Sequence, residues 1–234
     1  MMEPPGKNLE ALSKPHTRGC LPSFRAVKLY LRADLHRYQG SGRGKFWKHF
    51  LFTPGFKYTF WMRLCGYARA KPALKWTVYP LLKFILGRCR YKFGIAIPEY
   101  TDIGPGLMIN RFGGIYINGD AIIGSNVNIA QMTMLGQTNR GERAGSPILG
   151  DRIFVGVGSS VIGRIHVGDD VVIGVNSVVT KDVEPGSVVA GTPAKTLSKA
   201  GSEGYINRMV PAALIAECER ARFSSSRVSS AVEP

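Results

Sequence analysis

The apolar residues of this chain follow two different patterns, which meet near residue 98. From Ile103 onward they recur every sixth position. Ile103, Ile109, Ile115, Ala121, Val127 and Thr133 form one ladder, and Ile117, Ile123, Ile129 and Leu135 form a second, two positions out of step. After an interruption the ladder resumes as Leu149, Val155, Val161, Val167, Ile173 and Val179. Many rungs are followed directly by glycine: Gly104, Gly124, Gly136, Gly150, Gly156, Gly168 and Gly174. Helices repeat at 3.6 residues and strands at 2, so neither gives a period of six. The repeat predicts short strands and tight turns, each sending an aliphatic side chain inward. That is a β-solenoid, with three hexads making a triangular coil of roughly 18 residues.

The interruption is informative. Leu135 and Leu149 are 14 residues apart, two more than two hexads, and Gly141 stands where a rung is due. The segment from Gly136 to Ile148 must therefore leave the prism as a loop, which is where rigid repeat folds place function.

Ahead of residue 98 the pattern is helical. Phe24 to Tyr38 mixes Ala26, Leu29, Leu31, Leu35 and Tyr38 with basic residues and stops at Gln39-Gly40-Ser41-Gly42. Lys45 to Thr53 is a short aromatic and basic segment closed by Pro54-Gly55. Phe56 to Ala70 reads as a second helix, broken at Lys71-Pro72. Leu74 to Arg88 reads as a third, with Pro80 marking a kink or a boundary. The expected organisation is a disordered leader (1–22), a basic, aromatic-rich helical domain (23–98), the solenoid (99–200), and a tail with a short helix reaching Arg222 (201–234). The Ser-rich stretch from Phe223 onward is expected to be mobile.

Charge sharpens this division. Residues 1–100 carry 19 Lys and Arg against 4 Asp and Glu, so the whole net charge of +15 lies there, and the remainder balances at 12 of each. A surface rich in Phe, Tyr and Trp beside Lys and Arg has three readings. It is a cap packed on the first coil and on neighbouring subunits, an interfacial surface for an anionic membrane, or a nucleic-acid surface, for which no recognised module is present. Cys20, Cys65, Cys89 and Cys218 have no pairing or metal-like spacing and read as free thiols of a cytoplasmic protein. The polar, Pro-containing start is not expected to act as a signal peptide. The longest apolar run, Leu74 to Leu86, holds Lys75, Pro80 and Lys83 and is too short to span a bilayer. No metal cluster, Gly-rich phosphate loop or paired-carboxylate site is visible.

The hexads and the closing Val188-Val189-Ala190-Gly191-Thr192-Pro193-Ala194-Lys195 resemble the hexapeptide-repeat acyltransferases. Pro105-Gly106-Leu107-Met108-Ile109, Phe112-Gly113-Gly114-Ile115, the loop Gly136-Gln137-Thr138-Asn139-Arg140-Gly141, and Gly201 to Arg208 narrow this to the serine acetyltransferase-like branch associated with exopolysaccharide and capsule biosynthesis. The resemblance covers about Phe24 to Arg208. It implies a mainly β protein, a left-handed parallel β-helix preceded by a small α-helical domain. It further implies a homotrimer with acetyl-CoA in a groove between neighbouring prisms, and no metal. The reaction would be direct acetyl transfer to a hydroxyl, on free serine or a sugar precursor, in a cytoplasmic setting; from the basic half, not from the resemblance, come the expectations of peripheral contact at an anionic membrane and of no specific nucleic acid. Position by position, it places Gly136 and Gln137 at the acetyl end of the cofactor channel. Gly156 with Val157, and Gly174 with Val175, become main-chain contacts on successive coils, and Lys181 and Lys195 meet the cofactor phosphates.

One position departs from the family pattern. Relatives carry a histidine base ahead of the Gly-Gly pair, whereas this chain reads Asn110-Arg111-Phe112-Gly113-Gly114. A second family histidine, just after the loop, falls near Ser146. Arginine side chains do not act as general bases at physiological pH. Three readings of Arg111 stand. Another group takes the proton, Glu142, Asp120 or a histidine of the helical half (His36 or His49). Or Arg111 binds an anionic acceptor, such as a uronic acid or phosphate-bearing sugar, and the base lies elsewhere, Arg111, Asn110 and Glu142 being the candidate catalytic residues. Or the protein is an inactive trimeric scaffold. His166 lies one residue before an inward rung and is expected to face outward, and His16 lies in the leader.

Overall fold

A computed structural model describes residues 18–39 and 46–223. The expected leader up to residue 17, the glycine-rich stretch 40–45 and the Ser-rich stretch from 224 lie outside the described residues. Among the described residues five helices come first: α1 (Phe24–Gln39), α2 (Phe46–Phe52), α3 (Pro54–Ala70), α4 (Pro72–Lys75) and α5 (Val78–Phe93). α6 (Ala212–Phe223) comes after the solenoid. The third expected helix is thus split, and its main part starts at Val78. Pro80 lies in the first turn of α5, where its missing N–H has no helical partner to lose.

The rest is a left-handed parallel β-helix with three faces. The first face stacks Ile95–Ala96, Ile115–Ile117, Met134–Gly136, Ser160–Ile162 and Val178–Val179. The second stacks Asp102–Ile103, Ile122–Ile123, Ile148–Leu149 and His166–Val167. The third stacks Met108–Ile109, Asn128–Ile129, Phe154–Val155, Val172–Ile173 and Val188–Gly191, with Ala194–Ser198 added antiparallel. Where nothing is inserted the coil is 18 residues, as Tyr116 pairs with Met134 and Ser160 with Val178. From Met134 to Ser160 the step is 26, the excess being the 136–148 loop. From Ile95 to Ile115 it is 20, the excess falling in the Asn110–Gly114 turn. Both ladders face inward, because side chains two apart on a strand share a side. Val127 and Ile129 are both fully buried and straddle Asn128.

The helical domain closes the open end of the first coil. Strands there have no coil below them, so their backbone groups need other partners. Each face receives one polar side chain. The Tyr58 hydroxyl accepts from Ile97 N–H at 3.0 Å and donates to Ile97 C=O at 2.8 Å. Arg63 donates to the carbonyls of Ile103 (2.7 Å) and Gly104 (2.8 Å). The Tyr38 hydroxyl accepts from Ile109 N–H at 3.0 Å and donates to Ile109 C=O at 3.2 Å. Behind them Asp34, fully buried, pairs with Arg63 at 3.1 Å and accepts from the N–H groups of Gly106 and Leu107. Burial pushes the Asp34 carboxyl up, opposed by Arg63 and those two donors.

Two expectations need correction. Residues 18–22 are not part of a loose leader: Gly19 N–H donates to Tyr100 C=O at 3.0 Å, and Cys20 and Leu21 are buried. A Cβ on Gly19 would lie 2.0 Å from the Thr101 carbonyl oxygen, so the segment is seated tightly. Nor is 201–223, expected as a tail with a short helix, separate from the rest of the structure. It returns along the third face: Tyr205 packs on Phe154 (ring centroids 5.3 Å apart), and Val210 N–H donates to the Asn126 side chain at 2.8 Å. α6 then packs on α1 through Cys218 and Ala221, and Arg222 pairs with Asp102 at 2.7 Å. Arg37, wholly buried, ties this returning segment to the solenoid through Asn207 C=O (2.7 Å) and the Asn128 side chain, and burial lowers its guanidinium to about 10. All four cysteines are free and buried, and burial raises Cys20, Cys65 and Cys218 to about 12.

Candidate active site

The site residues expected from sequence fall on two edges of the prism. The edge between the third and first faces carries Asn110 and Arg111 in the first coil, Gly156 and Val157 two coils up, and Gly174 and Val175 one coil further. Backbone bonds stack these turns: Met132 N–H to Gly113 C=O (2.8 Å), Gly158 N–H to Gln131 C=O (3.1 Å) and Asn176 N–H to Val157 C=O (2.8 Å). Lys195, opposite Ala190 in the closing hairpin, sits at the top of this edge. Asn110, Arg111, Val157, Val175 and Lys195 are exposed. Gly156 and Gly174 are required by stacking itself. A Cβ at Gly156 would lie 2.7 Å from the Ile173 oxygen, and one at Gly174 would lie 2.8 Å from the Ala190 Cβ.

The edge between the first and second faces carries Gly136, Gln137, Glu142 and Lys181. Here the loop stands out as a small antiparallel finger, Thr138 N–H and C=O both bonded to Gly145. Glu142 is at its exposed tip. Arg143 reaches the Lys181 turn, donating to Thr180 C=O at 3.4 Å and lying 3.7 Å from Asp182. Strands of two or three residues separate the two edges, roughly 10 Å at about 3.3 Å per residue. One prism therefore does not bring Arg111 together with Gln137, Glu142 or Lys181.

Between these edges, on the first face, lies a cavity of about 210 Å³ lined by Arg90, Tyr100, Tyr116, Asn118 and Asp120, with Ala96 and Pro98 beneath. Asp120 is the carboxylate of that lining. Asn118 Oδ1 accepts from Asp120 N–H at 2.9 Å and from Ser146 Oγ at 3.1 Å, so Ser146 borders this corner. Tyr100, Tyr116 and Arg90 were not singled out by the sequence. The available signal was Tyr116 itself, an aromatic at an outward position between the inward rungs Ile115 and Ile117.

His166 is exposed, as its ladder position requires, its N–H bonded to the Asp182 side chain at 2.8 Å. His49 lies nearer the Arg111 turn: its ring is 5.9 Å from that of Tyr38, whose hydroxyl grips Ile109, and Nδ1 is 3.1 Å from the Thr53 hydroxyl. Among the described residues no group of three or more His, Cys, Asp or Glu is placed to hold a metal ion, and no helix is long and apolar enough to cross a membrane.

No protein-family model matches the chain. A serine acetyltransferase of Helicobacter pylori is 36% identical over 153 residues, which is 65% of this chain and 86% of that protein. The chain belongs to the serine acetyltransferase family. Membership places it among the O-acetyltransferases. The serine acetyltransferase of Escherichia coli K12 is 31% identical over 120 residues, 51% of this chain and 44% of that one. Two solved serine acetyltransferases, both in complex with serine, share the architecture. The Neisseria gonorrhoeae structure superposes with a TM-score of 0.59 at 27% identity over 74% of this chain and 69% of its own. The soybean structure superposes with a TM-score of 0.59 at 26% identity over 79% and 71%. Within this serine acetyltransferase frame, Arg111 sits on an exposed turn that is two residues longer than the Ala130–Met132 turn stacked on it.

Proposed function

We propose that this protein transfers the acetyl group of acetyl-CoA to the hydroxyl of a small acceptor, serine being the first candidate. The observation that carries the proposal is the relationship to a named serine acetyltransferase across 86% of that relative's length. The first-face cavity supports an amino acid as acceptor. It offers one guanidinium, Arg90, and one carboxylate, Asp120, in a small polar space. The third–first edge fits the donor. Val157 and Val175 form an exposed apolar rail one coil apart, ending at Lys195, which suits a long thin thioester arm terminating in phosphates. When bound, acetyl-CoA supplies the activated acetyl group.

The chain's own residues must then orient the acceptor and remove its proton. Arg111 is unsuited to that step. We assign proton acceptance to Asp120 and anion recognition to Arg111. A homotrimer goes with this reading, since a three-fold arrangement sets the edge of one prism against the opposite edge of the next, bringing Arg111 toward a neighbour's Gln137 loop. A cytoplasmic setting goes with acetyl-CoA as donor. A role in surface polysaccharide assembly rests on the loop motifs alone, and peripheral membrane contact is a separate matter for the helical domain.

Release of free CoA from acetyl-CoA, measured against serine, free sugars and nucleotide sugars, tests the proposal. Turnover with serine is expected. Turnover with a sugar alone moves the acceptor to the carbohydrate class. No turnover with any acceptor leaves the trimeric scaffold. Asp120→Asn should lower kcat by about 100-fold or more, the usual scale for a lost general base.

A further inference from the structure

From Leu35 to Pro98 the chain has 13 Lys and Arg and no Asp or Glu. Several of these cations are used internally: Arg37 and Arg63 in the cap, and Arg69 and Lys83 on the buried Glu99. Lys75, Arg88 and Lys92 are exposed on α4 and α5. They are interleaved with large apolar side chains that are also exposed: Trp76 (82%), Leu81 (60%), Phe84 (67%) and Tyr91 (87%).

The arrangement is helical and one-sided. Leu81, Phe84, Arg88 and Tyr91 follow one another at spacings of three, four and three, which puts them on one stripe of α5. Leu86, Cys89 and Phe93 occupy the opposite side and are buried against α3 and the first coil. α5 therefore has two apolar faces, and the solenoid covers one. Trp76 extends the exposed face at its start, with the Lys75 ammonium 5.7 Å from its ring. α2 adds Trp47, Leu51 and Phe52 beside Lys48, all exposed.

Charge decides what covers this face. A second copy meeting it symmetrically would set Lys and Arg against Lys and Arg with no carboxylate to pair them. Nucleic acid would satisfy the cations and leave Leu81 and Phe84 in water. An anionic bilayer satisfies both. Basic groups meet the phosphates, Trp and Tyr lie at headgroup level, and Leu and Phe enter the acyl boundary. α5, 16 residues with Lys and Arg along it, lies on such a surface and does not cross it. We propose that the α4–α5 face docks this protein peripherally on an anionic lipid bilayer.

Flotation of the full chain with vesicles tests this. One set is pure phosphatidylcholine and the other contains about one-third phosphatidylglycerol. Binding to the anionic set alone is expected, weakened strongly at roughly 0.5 M salt. A triple variant, Leu81→Glu with Phe84→Glu and Tyr91→Glu, should lose binding by about tenfold or more. Its urea midpoint should be unchanged, because all three side chains are already exposed. Wild-type protein that ignores anionic vesicles, or a triple variant that binds them as well as wild type, overturns the proposal. So does a triple variant whose oligomer falls apart in light scattering while its vesicle binding is intact, since the face then belongs to a second copy. Duplex DNA binding without vesicle binding overturns it as well. None of these readouts depends on acetyl transfer.

Discussion

At its first coil the prism ends on side chains from helices, and at its last coil it ends on its own backbone. Tyr58, Arg63 and Tyr38 each supply one polar group to one open face, all from buried positions. At the far end Val188–Gly191 turns back as Ala194–Ser198, and the antiparallel pairing satisfies the last strand from within the same hairpin. Backbone closure is local and tolerant, because nearly any side chain keeps the ladder. Closure by side chains is specific, and it couples the helical domain to the candidate active-site edge: Tyr38 holds Ile109, the residue immediately before Asn110.

The sharpest way to break this comparison is Arg63→Met. It removes one partner of a buried ion pair and two carbonyl caps, leaving Asp34 charged or protonated without compensation. A loss of about 4 kcal/mol in urea unfolding is expected, the usual scale for breaking a buried pair from one side. Adding Asp34→Asn should recover part of it, since the amide oxygen can still accept from Gly106 and Leu107. No recovery would show that the two carbonyl caps carry most of the effect.

Next in size are Tyr38→Phe and Tyr58→Phe. Each strands one buried N–H and one C=O of an edge strand, and each should cost about 1–3 kcal/mol. They differ in reach. Only Tyr38 adjoins the Asn110–Gly114 turn, so Tyr38→Phe should also reduce kcat, while Tyr58→Phe should leave it near wild type. Equal effects on kcat would mean that the cap acts on the site only through overall stability.

Glu99 probes the same end by pH. It is buried beneath the first face and takes hydrogen bonds from Lys83 (2.6 Å), Arg69 (2.8 Å) and Tyr79 (2.9 Å). Burial opposes its ionisation, but the Lys83 and Tyr79 hydrogen bonds and the Lys83 charge hold it below the usual carboxylate value. A depressed folded-state value means that the unfolded chain takes up the proton first as pH falls. The stabilisation is therefore complete above the unfolded value, about 4.3 for Glu, and is lost as pH drops through the lower folded value. Urea midpoints at acid and neutral pH should differ in wild type and converge in Glu99→Gln. An unchanged difference would assign the acid sensitivity to another carboxylate.

The solenoid was legible because every rung reports the same fact. A buried aliphatic every sixth residue fixes the period, and the 14-residue spacing from Leu135 to Leu149, with Gly141 where a rung is due, marks the loop. The helical half was legible only as helices. Tyr38, Tyr58 and Arg63 look like ordinary members of apolar and basic helices, and nothing local says that their polar atoms meet strands 39 to 71 residues away. The return of 201–210 along the third face was hidden for the same reason, since Asn126, Asn128 and Arg37 recognise its backbone rather than its side chains. At the site, motif matching supplied Arg111, Gln137 and Lys181 together, whereas only the wound structure shows that Arg111 occupies a different edge from Gln137 and Lys181.

The smallest expected effect lies at the far end and completes the contrast. Lys199 bonds to Glu184 and, at 3.1 Å, to Ser187 Oγ, beside the closing hairpin. Both members of the ion pair are exposed, so water and salt replace most of what the pair provides. The backbone ladder between Val188–Gly191 and Ala194–Ser198 does not depend on it. Lys199→Ala should leave the urea midpoint where it is in wild type, in low and in high salt alike. A loss as large as that of Tyr58→Phe would show that the last coil is also held by side chains. The difference between the two ends would then be one of residue type, not of backbone against side-chain closure.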